Sequence, residues 1–391
     1  METNTSFNLG STASPGSPVG LSIEGARLAF RQPDPDWPTW ELDGSGSLNE
    51  LLEIHGREED MLTANERRML EKLGACRASV LRALPKEVLV ERLALVSGGL
   101  RAVDQSGYLP AYMAGRRLLD SLRPSDVDPS ISSYPNKKDF DVDGLLNHYA
   151  MGPVVPRYSM ASTTTGRLTI TRGPNFLTAP KWVRRFIRST SGLPVWELDV
   201  TALEPTVLFS YQLPDFDPGD DLYAAVSDRW FAGSLPRDVA KQLVISLCYG
   251  ARERSLAALT AVVSGNQRPQ IKSLRSDLRL DQFAADKRAQ LESDGHITNA
   301  LGRPIRPKDE SPRDGVLVNN FVQSSAVDIA LSAFSATCKD RDIEPLLVIH
   351  DALYFSAEPK VAEELRNLGR VTVPELSVPL KFTVNRVDEQ L

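Results

Sequence analysis

The stretch that most constrains this chain is Trp196-Glu197-Leu198-Asp199-Val200-Thr201-Ala202-Leu203-Glu204. A β-prone apolar run followed at once by a polar-apolar turn sets Asp199 at a strand end, where its carboxylate faces a cleft rather than the core. An acid in that position either caps the next helix or holds a hard divalent cation. From Leu346 to Phe355, two apolar strand-forming runs meet at His350-Asp351. This reads as a tight hairpin with its polar residues at the tip. Asp351 has no core role there and is the natural partner of Asp199, and two carboxylates brought together need cations to cancel their repulsion.

With 391 residues, 41% hydrophobic and 25% charged, the chain has the length for two or three domains and the composition of a globular protein. It has no run of about 18 apolar residues and no basic segment leading into an apolar one at the N-terminus, so neither a membrane span nor a secretory signal is expected. A cytoplasmic location follows as the expectation. Cys76, Cys248 and Cys338 are odd in number and far apart, and the four histidines share no metal-ligand spacing with them. Zinc and a disulfide framework are therefore not expected. The net charge of −6 argues against a nucleic-acid partner, but the charges are segregated. Basic residues run from Arg157 to Arg188 beside only Glu197 and Asp199. This is either a solvated loop surface or one arranged for a phosphate-rich ligand.

Residues 1–47 are rich in Ser, Gly, Pro and Asp and read as a flexible leader with one strand near Leu21 to Phe30. Helical spacing then runs from Leu51 to about Leu122, a loop covers Asp126 to Lys138, and a short helix covers Val142 to Tyr149, with a domain boundary near residue 150. Within the run Ala161 to Thr171, Gly166 permits a close approach of backbone to a ligand, and Arg167 is placed to donate bidentate hydrogen bonds. Leu222 to Phe231 is helical. A further helix has Ser234 as N-cap, Pro236 in its first turn and Gly250 as its stop. Arg237, Lys241, Ile245 and Tyr249 climb one side of it at intervals of four. That stripe serves either salt bridges or a triphosphate. Arg252 to Leu291 reads as helical with a break near Ser264-Gly265-Asn266, and Gly295 to Pro307 as two short strands or turns with exposed Arg303 and Arg306. In the long helix beyond, Asn319 and Gln323 share a face at i, i+4.

The order of these stretches resembles the polymerase region of family A DNA polymerases, the bacterial polymerase I-like group, and especially divergent members carried by phages and mobile elements. The resemblance covers roughly residues 150 to 391. Thr165-Gly166-Arg167-Leu168 with Pro174-Asn175 is similar to the family's TGRL…PN segment along primer and template. Asp199 to Glu204 is similar to its first catalytic motif, and His350-Asp351 to its second. Arg237, Lys241, Tyr249 and Gly250 match the helix that binds the incoming nucleotide, and Asn319 and Gln323 match template and primer contacts. Arg303 joins the nucleic-acid contacts with Thr165, Gly166, Arg167 and His350.

The resemblance implies an α+β right-hand fold: an antiparallel palm sheet bearing Asp199 and Asp351, helical fingers at about 214–302 within 151–391, and a small helical thumb within 48–150. It further implies a primer-dependent DNA polymerase that adds dNMP to a 3′-hydroxyl with two Mg2+ ions, or Mn2+, on Asp199 and Asp351. Arg237 and Lys241 would bind the triphosphate, Lys241 would protonate the leaving group, Tyr249 would pack on the nascent pair, and Glu204 would be the steric gate. The implied partners are primer-template DNA and dNTPs, with the protein a monomer. Departures from the family pattern are Ile245 for a sugar-contacting aromatic, Ala352 for a second acid, and Tyr223 for a histidine near the triphosphate. No stretch of residues 1–150 has the acid pattern of a proofreading exonuclease, so none is expected. Two rivals are a single-subunit RNA polymerase, against which Glu204 argues, and a catalytically degenerate relative that only binds nucleic acid.

Overall fold

The computed structural model of the protein describes residues 47–56, 88, 106–134, 139–264, 266–339 and 341–389, together with four strands before residue 42. The helical spacing of residues 57–105 falls, but for residue 88, outside the described residues. The chain divides into two compact units, Met1–Leu109 and Pro110–Leu391. The division falls well before residue 150, because residues 127–149 bury Val127, Ile131, Leu145 and Tyr149 in one core with Phe176, Ile187 and Leu347. That part of the segment expected to form a thumb thus packs with the strands that follow it.

In the first unit β1 (Ser6–Asn8), β2 (Gly20–Glu24), β3 (Arg27–Arg31) and β4 (Thr39–Glu41) form a sheet in the order β3-β2-β1-β4. The single strand expected near residues 21–30 is the β2–β3 hairpin. Helix α1 (Ser47–Ile54) follows.

In the second unit come α2 (Leu109–Asp120), β5 (Ser125–Val127), α3 (Val142–Tyr149), β6 (Arg157–Ser159), β7 (Thr169–Arg172), α4 (Lys181–Arg184), β8 (Ile187–Ser189) and β9 (Val195–Thr201). Five helices then run in succession: α5 (Leu203–Gln212), α6 (Leu222–Phe231), α7 (Arg237–Cys248), α8 (Glu253–Ser264) and α9 (Arg268–Asp277). After α10 (Leu280–Asp294), the pair β10 (Ile297–Thr298) and β11 (Pro304–Ile305) leads into α11 (Asp314–Lys339). The chain ends with β12 (Glu344–Ile349), β13 (Ala352–Ser356), α12 (Pro359–Leu368), β14 (Arg370–Val371) and β15 (Leu380–Arg386).

The central sheet is antiparallel throughout, in the order β12-β13-β9-β15-β14. Its middle strand, β9, follows the period of two that a pleated strand imposes. Leu198 and Val200 are buried, while Glu197, Asp199 and Thr201 on the other face are half-buried. Helix α11 is apolar nearly all round and buries Leu317, Phe321, Ile329 and Phe334, as a helix enclosed by α5, α7 and α10 must. Helices combined with a central antiparallel sheet make the fold α+β. The stretch from Arg252 to Leu291 breaks twice, and the second break, at Arg279 with φ 45°, has no Gly or Pro to announce it.

Candidate active site

The two acids meet because β9 lies against the β12–β13 hairpin. Asp199 is the register partner of Ala352, and the hairpin tip is the two residues His350-Asp351, with His350 at φ 56°. The amide of Val200 donates to the carbonyl of Asp351 at 3.1 Å, which ties the tip to β9. Burial, then the charges of Asp351 and Glu197, raise the Asp199 carboxyl to about 6, against a smaller downward pull from Lys181 and Arg184. A carboxylate this uncompensated suits a hard cation. Among the described residues no three or more His, Cys, Asp or Glu side chains are arranged around a metal ion. Mg2+, however, is commonly held by one or two carboxylates with water and substrate phosphates completing its shell, so the pair Asp199 and Asp351 fits it. Beside them, Tyr354 donates to Glu197, and Arg184 Nη1 donates to the Tyr354 hydroxyl at 3.4 Å.

Ala202, at φ 53° in the left-handed region, turns β9 into α5 and puts Glu204 in the first turn of that helix. Arg167 Nη2 contacts Glu204 Oε1 at 3.0 Å and donates to the Tyr249 hydroxyl at 3.4 Å. The arginine thus spends one nitrogen on linking the expected gate to the end of α7, rather than offering a free fork. Burial and the neighbouring Glu204 hold the Tyr249 phenol above its usual range.

Helix α7 begins at Arg237, with Pro236 as the N-cap residue. Ser234 is not the cap, as the sequence suggested. Its hydroxyl donates backwards to the carbonyl of Phe231, and Leu235, which would be the first helical residue after a Ser234 cap, precedes Pro236 and is disfavoured in a helical conformation. Gly250 ends the helix at φ 70°, and its main chain rests directly on that of Gly315 in the first turn of α11, so that a Cβ on either glycine would overlap the other's backbone. Along the stripe, Arg237, Lys241 and Tyr249 are exposed and Ile245 half-buried. Arg237 Nε is paired with Asp221, and its guanidinium lies 5.4 Å from the centroid of the Tyr223 ring. Tyr223 itself is buried, and burial pushes its hydroxyl up to about 12.

A cavity of about 700 Å³ brings together Asp199, Asp351, His350, Glu204, Arg167, Tyr223, Arg237, Lys241, Ile245, Tyr249 and Gln323. Lys181 and Arg184, from the basic run Arg157 to Arg188, line it too, as does Glu197, to which the sequence reading gave no site role. Glu197 had a signal: two residues before Asp199, it shares the same face of the strand. Thr165, Gly166, Asn319 and Arg303 do not line this cavity. Arg303, expected to be exposed, is 2% exposed and forms an ion pair with Asp328, itself 1% exposed, at 3.4 Å. The close approach that Gly166 permits is to this guanidinium, whose central carbon a Cβ at Gly166 would overlap. Asn319 Oδ1 is enclosed and has no protein partner.

The chain belongs to DNA polymerase family A, whose family model matches residues 132–389. Among the solved structures it resembles is the POL domain of Pol1 from M. smegmatis, in a complex with DNA primer-template and dNTP. The TM-score is 0.50 with 19% sequence identity over 88% of this chain, a likeness of fold. This chain spans 64% of that one's length. No curated protein matches the sequence.

Proposed function

We propose that the protein is a template-directed, primer-dependent DNA polymerase that joins dNMP to a 3′-hydroxyl and releases pyrophosphate, without proofreading. The observation that carries this reading is that one cavity is lined by the Asp199–Asp351 pair, by Glu204 and by the Arg237–Lys241–Ile245–Tyr249 side of α7. Two divalent cations, Mg2+ or Mn2+, held by Asp199 and Asp351, would supply activation of the primer hydroxyl and neutralisation of the leaving pyrophosphate. Arg237 and Lys241 bind the triphosphate oxygens at the exposed start of α7, and Lys241 donates a proton to the leaving group. Tyr249 packs on the nascent base pair, and Glu204 excludes a 2′-hydroxyl by overlap. Arg167 steadies Glu204 from the primer side. Gln323 and His350 contact the nucleic acid, and Lys181 and Arg184 add positive charge beside the primer terminus. We assign the fingers to residues 214–302, built from α6 to α10. Absence of proofreading fits residues 1–150, whose sequence lacks an exonuclease acid pattern.

Primer extension by purified protein with Mg2+ and dNTPs tests the reading. Wild type should extend a primed template, and Asp199→Asn and Asp351→Asn should lose extension while retaining primer-template binding. Near wild-type extension by either variant would refute the assignment.

A further inference from the structure

Arg237 sits in the first turn of α7, where the helix dipole disfavours a cation and nothing in the helix itself holds the side chain. It is held from outside. The two oxygens of Asp221 divide their partners: Oδ1 accepts from the amides of Tyr223 at 3.0 Å and Ala224 at 3.3 Å, capping α6, and Oδ2 accepts from Arg237 Nε. The Tyr223 ring lies against the guanidinium plane. With Nε and one face occupied, the two Nη groups have no protein acceptor among the described residues, and the side chain, 53% exposed, opens on the cavity. Asp221 is in turn anchored independently of Arg237. Arg370 Nη2 contacts Asp220 Oδ1 at 3.0 Å and donates to the Gly219 carbonyl, and Lys381 Nζ donates to the Asp220 carbonyl at 3.0 Å. The loop that carries Asp221 is thereby tied to β14 and β15 of the central sheet.

We propose that Asp221 is a positioning residue for nucleotide binding: by taking the Nε side of Arg237 it fixes the guanidinium so that its Nη edge meets the triphosphate of the incoming dNTP. The proposal rests on the reading of Arg237 as a triphosphate ligand. A long, rotamer-rich side chain already held in its binding orientation loses less freedom when the ligand arrives, and an arginine donates best through two parallel N–H groups. Asp221 does not compete with the phosphate, because it uses the Nε–H, a donor that a bidentate grip through the two Nη groups leaves over.

Asp221→Asn separates this role from the capping one, since Asn caps a helix as well as Asp does but carries no charge for Arg237. In steady-state extension with a saturating primed template, Asp221→Asn should raise the KM for dNTP about five- to tenfold with kcat changed less than about twofold, as expected for lost ground-state binding. Arg237→Ala should raise KM further. In the Arg237→Ala background, Asp221→Asn should have no additional effect, the mark of two residues acting through one contact. The inference is overturned if Arg237→Ala raises KM but Asp221→Asn leaves it unchanged, or if the two effects simply add. If Arg237→Ala itself leaves KM unchanged, the triphosphate role of Arg237 falls and this inference with it.

Discussion

Asp199→Asn should stabilise the metal-free protein by an amount that grows with pH. The Asp199 carboxyl titrates at about 6 in the folded chain against an ordinary value of 3.8, so folding favours its protonated form. Well below 3.8 the group is neutral in both states and costs nothing. Above about 6 it is ionised in both and the full cost is present, a difference of about two pH units or about 3 kcal/mol. The same relation leaves about half of that cost at pH 5 and only a small part of it at pH 4. Asparagine is nearly isosteric and neutral throughout, so the variant should recover these amounts. Thermal unfolding with chelator present reads them directly: the apparent Tm of Asp199→Asn should exceed that of wild type by about 6 °C at pH 8 and by about 1 °C at pH 4. Because burial comes before the Asp351 charge as the cause of the shift, Asp351→Asn should give a smaller gain. Adding Mg2+ at pH 8 should raise the wild-type Tm and leave that of Asp199→Asn nearly unmoved, since binding to the folded state alone stabilises it. A Tm difference between wild type and Asp199→Asn that is the same at pH 4 and pH 8 would refute the argument.

Three other outcomes are expected. Glu204→Ala should reduce the ratio of kcat/KM for dNTP over rNTP by on the order of 10²-fold on one primed template, and an unchanged ratio removes the gate and with it the preference for DNA over RNA synthesis. Arg303→Ala should destabilise the protein by about 3 to 5 kcal/mol by stranding buried Asp328, measurable by urea denaturation, whereas a loss confined to DNA affinity would return Arg303 to a nucleic-acid role. Gly166→Ala should cost about 2 kcal/mol or more, since residue 166 has φ 73° and its new methyl would meet the Arg303 guanidinium; an unchanged denaturation midpoint counts against that packing.

The parts of the site that were legible in the sequence are those whose geometry is local. A two-residue polar tip between apolar runs fixes the His350-Asp351 hairpin, and spacing by four fixes the side of α7 that faces the cavity. The strand-to-helix turn at Ala202 follows from the same local logic. What was not legible depends on distant partners. Nothing around Arg303 distinguishes an arginine that meets DNA from one buried against Asp328 on α11. Asp221 precedes Arg237 by a helix and a turn, and no periodicity joins them. The N-cap of α7 was misread because Ser234 has the right chemistry, while the proline two residues later decides where the helix starts. The packing of residues 127–149 with the strands that follow was not legible because the loop-rich composition of residues 126–138 masks Val127 and Ile131, which seat that segment in the core.

The backbone contact between Gly250 and Gly315 makes one end of α7 a bearing. With no side chains at the point of contact, a shift of that end toward α11 would bring main chain against main chain. The helix is 12 residues long, about 18 Å at the α-helical rise, so each ten degrees of rotation there swings Arg237 through about 3 Å while Tyr249 scarcely shifts. A rotation about that contact would make the helix a lever whose long arm carries the charges and whose fulcrum carries the ring. Spectroscopic labels at the two ends of α7 would report this as unequal displacement on adding dNTP, and equal displacement would rule the lever out.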